Sequence, residues 1–567
     1  MHNIHKQPVL VAIALALFAS SIAAQTTPDA GSLLREAEKQ QTPRLPPPAP
    51  QAMPQAPLAP DANALRVQVK AFRISGNTLI AESELQAVLS PWLGKESTFA
   101  ELQQAANAVA EAYRRHGWFA RPQLPAQDLA DGVVKINIIE GRLGAVRIDD
   151  GGKSLRLDRS VVSQTMTARQ QPGDPLNLDA LERGNAILND TPGFAVATVL
   201  SAGSDTGETD AIVKVQDKPL LAGTAQLDNQ GARSTGADKL TFNLSLDNPG
   251  GAGDQISANG NASEGSRYLR LGYSRPFGRE GLRAGINASA MRYQLLGEDF
   301  AALNSQGDAK TLGLNASYPL LRSGTRNMSL AGAIDRKDYY NEANAIATSE
   351  KRIHTALLAL NGDLLDGLGQ GGMTLWGVNL TAGQVDLSAN ATNESADQAG
   401  PGAAGSYQKF GYSLARLQRM SDQSTLWLSL SGQRASKNLD SSEKFSLGGP
   451  SGVRAYPLME GSGDDGWLAT LEARYNLTPD LQLSVFYDHG TITQSHNADY
   501  TGAPLVNQAS LKGAGVGLNW SQSGSFSLRA TWARRLGDNP FASASTGADG
   551  DGSINLNRFW LSAVVFF

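Results

Sequence analysis

From residue 219 to its end, this 567-residue chain alternates apolar with polar side chains one by one. A period of two is the mark of a β-strand with two unlike faces. Leu240, Phe242, Leu244 and Leu246 alternate with Thr241, Asn243, Ser245 and Asp247; Leu269, Leu271 and Tyr273 with Arg270, Gly272 and Ser274; Leu312, Leu314, Ala316 and Tyr318 with Gly313, Asn315 and Ser317. The same dyad returns at Leu426, Trp467, Val516, Phe526 and Phe559, and Gly/Asn/Asp-rich runs such as 247–251 lie between segments, which is hairpin chemistry. A soluble β-sandwich would show the same alternation. An export signal at the N-terminus, aromatics near the segment ends and a terminal strand closing on Phe567 point instead to a membrane barrel. At roughly 20 to 22 residues per strand and connection, residues 218–567 hold about 16 antiparallel strands.

The export signal is residues 1–24. Lys6 stands without an acid nearby, residues 9–19 are all apolar, and small residues follow, with cleavage after Ala23 or Ala24. That run is too short to cross a bilayer as a helix, and no other stretch approaches the ~18 apolar residues a membrane helix needs. A barrel escapes this limit because its strands are half polar, which agrees with the negative mean hydropathy. Zero cysteines exclude a disulfide scaffold and thiolate metal sites, and a formal net charge of −5 argues against a nucleic-acid partner.

Residues 25–41 include a polar run of strong helix formers, SLLREAEKQQ, and residues 42–63 are a Pro-rich, extended linker. On its own terms this N-terminal segment reads as a tail or as a helix held by something else. Residues 64–141 form a compact α/β unit: a strand at Val67, Val69 and Phe72, a short helix over 82–89, and a capping box at Thr98 and Glu101. That box opens a helix whose apolar face is Leu102, Ala105, Ala106, Val109, Ala112 and Tyr113. Gly117 ends it, and strands follow at 118–122 and 133–139. The β-α-α-β-β order with a terminal Glu140-Gly141 resembles a POTRA domain. Residues 142–217 repeat the scheme, with strands at 143–148, 195–200 and 211–215 and helices at 160–166 and 178–188.

Residues 445–457 read FSLGGPSGVRAYP, a run that cannot stay helical or pair as a central strand, and it presents Arg454 beside Tyr456. Downstream, Leu481, Leu483, Val485 and Tyr487 share one strand face, and Gln482, Ser484, Phe486 and Asp488 the other. Asp488 is therefore expected in the barrel lumen, where an inward-folded loop would bring Arg454 as its partner. A solvated extracellular loop is the alternative. Val453, Arg454, Ala455 and Tyr456 resemble the VRG(F/Y) loop signature, and Phe486, Asp488 and Gly490 the (F/G)xDxG strand signature, of the outer-membrane superfamily of BamA-type insertases and two-partner secretion transporters. The whole chain resembles the FhaC/ShlB/CdiB-like branch, which exports haemolysins and filamentous adhesins. Ala455 departs from the family Gly, which puts in question a turn that needs positive φ there.

The resemblance implies a bacterial outer-membrane transporter with two periplasmic POTRA domains and an N-terminal helix plugging the pore. It also implies a large secreted haemolysin- or adhesin-like partner caught by the POTRA units, contact with outer-membrane lipid, and insertion by the barrel-assembly machinery, with Phe567 as the assembly signal. An insertase of the same superfamily and a passive porin are the alternatives. No catalytic residue, cofactor or metal is expected: Asp488 and His489 point to opposite strand faces, and no P-loop, GxSxG or metal-ligand spacing occurs.

Overall fold

The computed structural model describes residues 28–39, 66–297, 300 and 302–567. The expected signal at 1–24 and linker at 42–63 lie outside the described residues. First comes α1 (Ala30–Lys39), starting two residues before the polar run singled out above. Asp29 sets that start: its carboxylate accepts from Ser32 N at 2.9 Å, and its carbonyl accepts from Leu33 N at 3.0 Å.

Residues 66–140 run β1 (Arg66–Gln68), β2 (Ala71–Ser75), α2 (Glu82–Leu89), β3 (Glu96–Thr98), α3 (Phe99–Arg115), β4 (Ala120–Gln123) and β5 (Val133–Glu140). The capping box of α3 is formed: Glu101 N donates to Thr98 Oγ1 at 3.3 Å and Thr98 N to Glu101 Oε2 at 2.6 Å. All six apolar positions of its inner face are buried against β2 and β5, each large side chain contributing about 1.5–3 kcal/mol relative to exposure. An Asp at Leu102, 2 % exposed, would put an unpaired charge into this core. Glu140 pins the end of β5 by accepting from Thr78 N at 2.6 Å, Leu79 N at 2.8 Å and the Tyr113 hydroxyl at 2.7 Å.

In this unit β5 is central, parallel to β2 and antiparallel to β4. The next unit, β6 (Arg142–Asp149), α4 (Arg159–Met166), α5 (Leu178–Asp190), β7 (Phe194–Ala202) and β8 (Glu208–Asp217), repeats that pattern, with β8 central, parallel to β6 and antiparallel to β7. Backbone bonds from Leu176 N to Gly141 O (2.8 Å) and from Leu178 N to Gly117 O (2.7 Å) tie the two units together. The second unit sits on the turns at one end of the barrel. Arg183, 5 % exposed, donates to Pro319 O at 2.6 Å, and Arg322 grips Asp190 with two bonds of 2.6 Å. Those turns thus mark the end of the barrel that carries the two α/β units.

Sixteen antiparallel strands, from Leu221–Asp228 to Asn557–Phe566, close into a barrel. This is the strand number the residue spacing implied. Closure is what lets strands cross a membrane, since it leaves no unpaired backbone edge in lipid. Leu269, Leu271, Ile286, Leu312, Leu314 and Val485 remain exposed on the outer wall, as a lipid-facing surface requires. The seam between last and first strand is short: five register pairs run from Ser562↔Asp228 to Phe566↔Thr224. Phe567 extends it, exchanging backbone bonds with Gly223 at 2.8 and 3.1 Å.

Candidate functional site

Residues 436–464, between strands Ser424–Ala435 and Asp465–Asn476, turn back into the lumen as a lid. A chain entering the barrel must satisfy its polar groups there, and the tip does so around Arg454. The guanidinium forks onto Asp488, with Nε to Oδ2 and Nη2 to Oδ1 both at 2.8 Å, and Arg454 N adds a bond to Oδ2 at 3.1 Å. Its remaining arm, Nη1, reaches Glu472 at 2.6 Å, and Glu472 also takes Arg474 Nε at 2.8 Å. Thr470 Oγ1 donates to Asp488 at 3.0 Å. Below lies Phe486, whose ring centroid is 3.3 Å from the guanidinium carbon, a stacked cation–π contact. Asp488 is fully buried, so this fork is what permits its charge. Burial disfavours the Arg454 charge, but Asp488 and Glu472 outweigh it and raise the pKa above the ordinary arginine value.

Val453, Ala455 and Tyr456 are fully buried at the tip beside Leu447. Ala455 is not among the residues with positive φ, so the Gly-to-Ala departure introduces no backbone strain. Its methyl has room because Gly513 opposes it: a Cβ at Gly513 would lie 2.7 Å from the Ala455 Cβ. Gly490 opens the same kind of space, since a Cβ there would meet Leu447 Cδ2 at 2.5 Å. Both signature stretches are therefore in direct contact. Phe567, by contrast, lies at the seam, away from the tip.

Helix α1 occupies the lumen beside the lid. Ala30, Leu33 and Leu34 pack among Tyr293, Tyr339, Ile353 and Leu439. The rest of its grip is polar. Arg35 Nη1 donates to Ser441 O and Lys444 O, both at 2.6 Å. Asp29 meets Lys351 at 2.9 Å, Ala30 N donates to Asn341 at 2.9 Å, and Lys39 reaches Ser446 Oγ at 3.1 Å. Burial lowers the Lys39 pKa to about 8. A cavity of about 260 Å³ remains between α1, the lid and the wall, lined by Arg35, Lys39, Lys337, Lys409 and Glu443 among others.

Several members of this site were not singled out in the sequence: Glu472, Trp560 and the lid residues Asp440 and Glu443. For two of them a signal existed. The lipid-facing stripe Trp467, Ala469, Leu471, Ala473 leaves Glu472 on the lumen side, and Phe559, Leu561, Ala563 leave Trp560 there. Trp560 Nε1 donates to Arg454 O at 2.8 Å. Asp440 and Glu443 sit in irregular loop, where no periodicity marks a facing direction.

Known proteins are similar to this chain. HuxB of Haemophilus influenzae (strain 86-028NP), a "Heme/hemopexin transporter protein", is 27 % identical over 97 % of each chain. "Outer membrane transporter CdiB" of Dickeya dadantii (strain 3937) is 29 % identical over 73 % of each. The solved structure of CdiB from Escherichia coli matches the fold with a TM-score of 0.68 over 100 % of both chains, at 21 % identity. Residues 67–141 match the ShlB-type POTRA domain, and residues 207–520, more than half of the chain, match the haemolysin secretion/activation protein family. The chain belongs to the ShlB/FhaC/HecB family of haemolysin secretion/activation proteins.

Proposed function

We propose that this outer-membrane transporter exports a large haemolysin- or adhesin-like partner protein, in extended form, through its own barrel. The observation that carries this reading is where the pore is blocked. Two elements outside the wall, α1 and the lid, fill the lumen, while the sixteen-stranded wall is closed without them. A passive porin gains nothing from a lumen filled in this way. Passage of an extended chain needs only that these elements move, and requires no rearrangement of the wall.

The incoming chain is received in the periplasm on the POTRA units. β2 and β7 are edge strands of their sheets, and an edge strand offers backbone groups to an unfolded polypeptide but few to a folded one. Arg454, with Asp488, is assigned the role of fixing the lid. Phe567, at the seam, is assigned to recognition by the barrel-assembly machinery during insertion. No bond-making step is part of this reading. Relatives are named for different cargoes, a haem/haemopexin transporter and a haemolysin transporter, so the partner is assigned by class alone. The test is to delete the gene and compare the proteins released to the medium. Loss of one large secreted protein, restored by the intact gene but not by an Arg454→Ala form, is the expected result; an unchanged set of secreted proteins would remove the export reading.

A further inference from the structure

One sector of the lumen wall carries four cations whose partners come mainly from elements that are not part of the wall. Lys351 lies 2.9 Å from Asp29 of the plug segment and 2.8 Å from Asp440 of the lid. Lys337 and Lys409 flank a single lid carboxylate, Glu443, at 3.0 and 2.7 Å. Arg270 lies 3.6 Å from Glu38 of α1. The wall's own acid in this sector is Asp335, which lines a smaller cavity of about 100 Å³ together with Glu38, Arg270 and Lys337. Other wall cations pair within the wall, as in Lys239 with Asp228 at 3.6 Å and Arg474 with Glu472 at 2.8 Å, or with a loop joining neighbouring strands, as in Arg535 and Arg558 with Asp549 at 2.8 and 3.0 Å. Four wall cations against one wall acid is a deliberate imbalance only if something removable supplies the difference. In the closed pore Asp29, Glu38, Asp440 and Glu443 are the carboxylates that meet these wall cations, while α1 also brings Arg35 and Lys39 to the cavity it shares with Lys337 and Lys409.

We propose that Arg270, Lys337, Lys351 and Lys409 form a track that binds carboxylate side chains of the exported polypeptide, taking the place of the plug and lid carboxylates as these withdraw. The proposal rests on the export reading and names the chemistry of the segment that opens the pore: extended and acidic. Exchanging one set of carboxylates for another keeps every wall cation paired, so displacement of the plug does not leave bare charge in the lumen. A basic segment meets like charge and is disfavoured, which gives the pore a preference that main-chain pairing at the POTRA units cannot supply. In an extended chain alternate side chains share a face at roughly 7 Å spacing, close enough for one segment to engage several of these cations.

The test uses the full-length protein and a variant lacking residues 28–39 and carrying D440N/E443Q, so that neither plug nor lid carboxylates hold the cations, each reconstituted in planar bilayers, with unfolded peptides of about 20 residues added on the periplasmic side. Three peptides are compared: Glu/Ser, Gln/Ser and Lys/Ser alternations. In the plug-deleted pore the Glu/Ser peptide should interrupt the current with a residence about tenfold longer than the Gln/Ser peptide, and the Lys/Ser peptide with the shortest. The triple variant K337Q/K351Q/K409Q should erase the difference. Equal residence of all three peptides, or preference for Lys/Ser, overturns the track; if the triple variant does not fold, that three-way comparison on the natural wall decides alone. No exported partner is present in these bilayers. Secretion of a partner without acidic preference therefore removes the track and keeps export, and acidic preference without any secreted partner does the reverse.

Discussion

The lid tip and the plug helix close the same lumen by different means. The tip is built into the wall: Arg454 bonds to two strands through Asp488 and Glu472, stacks on Phe486, and is flanked by the buried Val453, Ala455 and Tyr456. The plug buries four small or aliphatic residues, Ala30, Gly31, Leu33 and Leu34, and otherwise holds on by ion pairs and by bonds to loop carbonyls and polar side chains. Removing part of the tip leaves a dry charge or a void. Removing the plug leaves groups that water or another polypeptide can satisfy. The tip behaves as part of the fold, and the plug as a ligand of it.

Asp488→Ala is the most severe way to probe this contrast. It removes the bidentate, fully buried partner of Arg454 and leaves Glu472 as its remaining carboxylate, which should cost about 3 kcal/mol, read as a drop in the barrel's unfolding temperature on heated gels. Gly490→Leu comes next: with Leu447 only 2.5 Å from the position of a new Cβ, overpacking of about 1–3 kcal/mol should dislodge the tip while Asp488 stays intact. Deleting residues 28–39 should raise the conductance of the reconstituted pore and move the unfolding temperature less than either substitution. An equal shift from plug deletion and Asp488→Ala would erase the distinction between the two elements.

Acid sharpens the comparison from the other side. Burial pushes the Glu443 carboxyl up, but Lys409 and Lys337 outweigh it and bring it from 4.5 down to about 2. Asp29 is likewise buried, and Lys351 and the bonds from Ser32 and Ser441 hold it below the ordinary aspartate value. Both carboxyls have depressed pKa values in the folded state. Their contribution is therefore complete above the unfolded value, 4.5 for Glu443, and is lost as pH falls toward about 2. Conductance should rise reversibly between pH 5 and pH 2 in the wild type, and Glu443→Gln should blunt the response. The mildest test is Asp190→Asn at the periplasmic turns. Its ion pair with Arg322 is half exposed and should be worth only ~0–1 kcal/mol, leaving the lid and plug untouched.

Period-two reasoning read the barrel well where large side chains alternate, as in strands Lys239–Asp247, Ser266–Phe277 and Gln306–Arg322. Strand Gln255–Ala262 was not singled out because on the apolar face of its sequence, QISANGNA, only Ile256 is large, and the small Ala258, Gly260 and Ala262 give the alternation little amplitude. The Thr98 capping box placed α3 because that signal is local. The site divides along the same line. Asp488 and Phe486 were readable from their strand, and Arg454 from its loop signature. Asp440 and Glu443 were not, because which cation a loop carboxylate meets is set by a fold-back over residues far apart in sequence. Lys337, for instance, precedes Glu443 by 106 positions.

Trp560 lies on the last strand, seven residues before the end of the chain, yet its indole N–H bonds to the carbonyl of Arg454. During synthesis the lid sequence exists long before that strand does, so the bond can form only when the barrel closes. The lid is therefore fastened by the same event that completes the wall. A half-assembled barrel carries a lid short of one of its fastenings, and a chain truncated before Trp560 would inherit that looseness permanently.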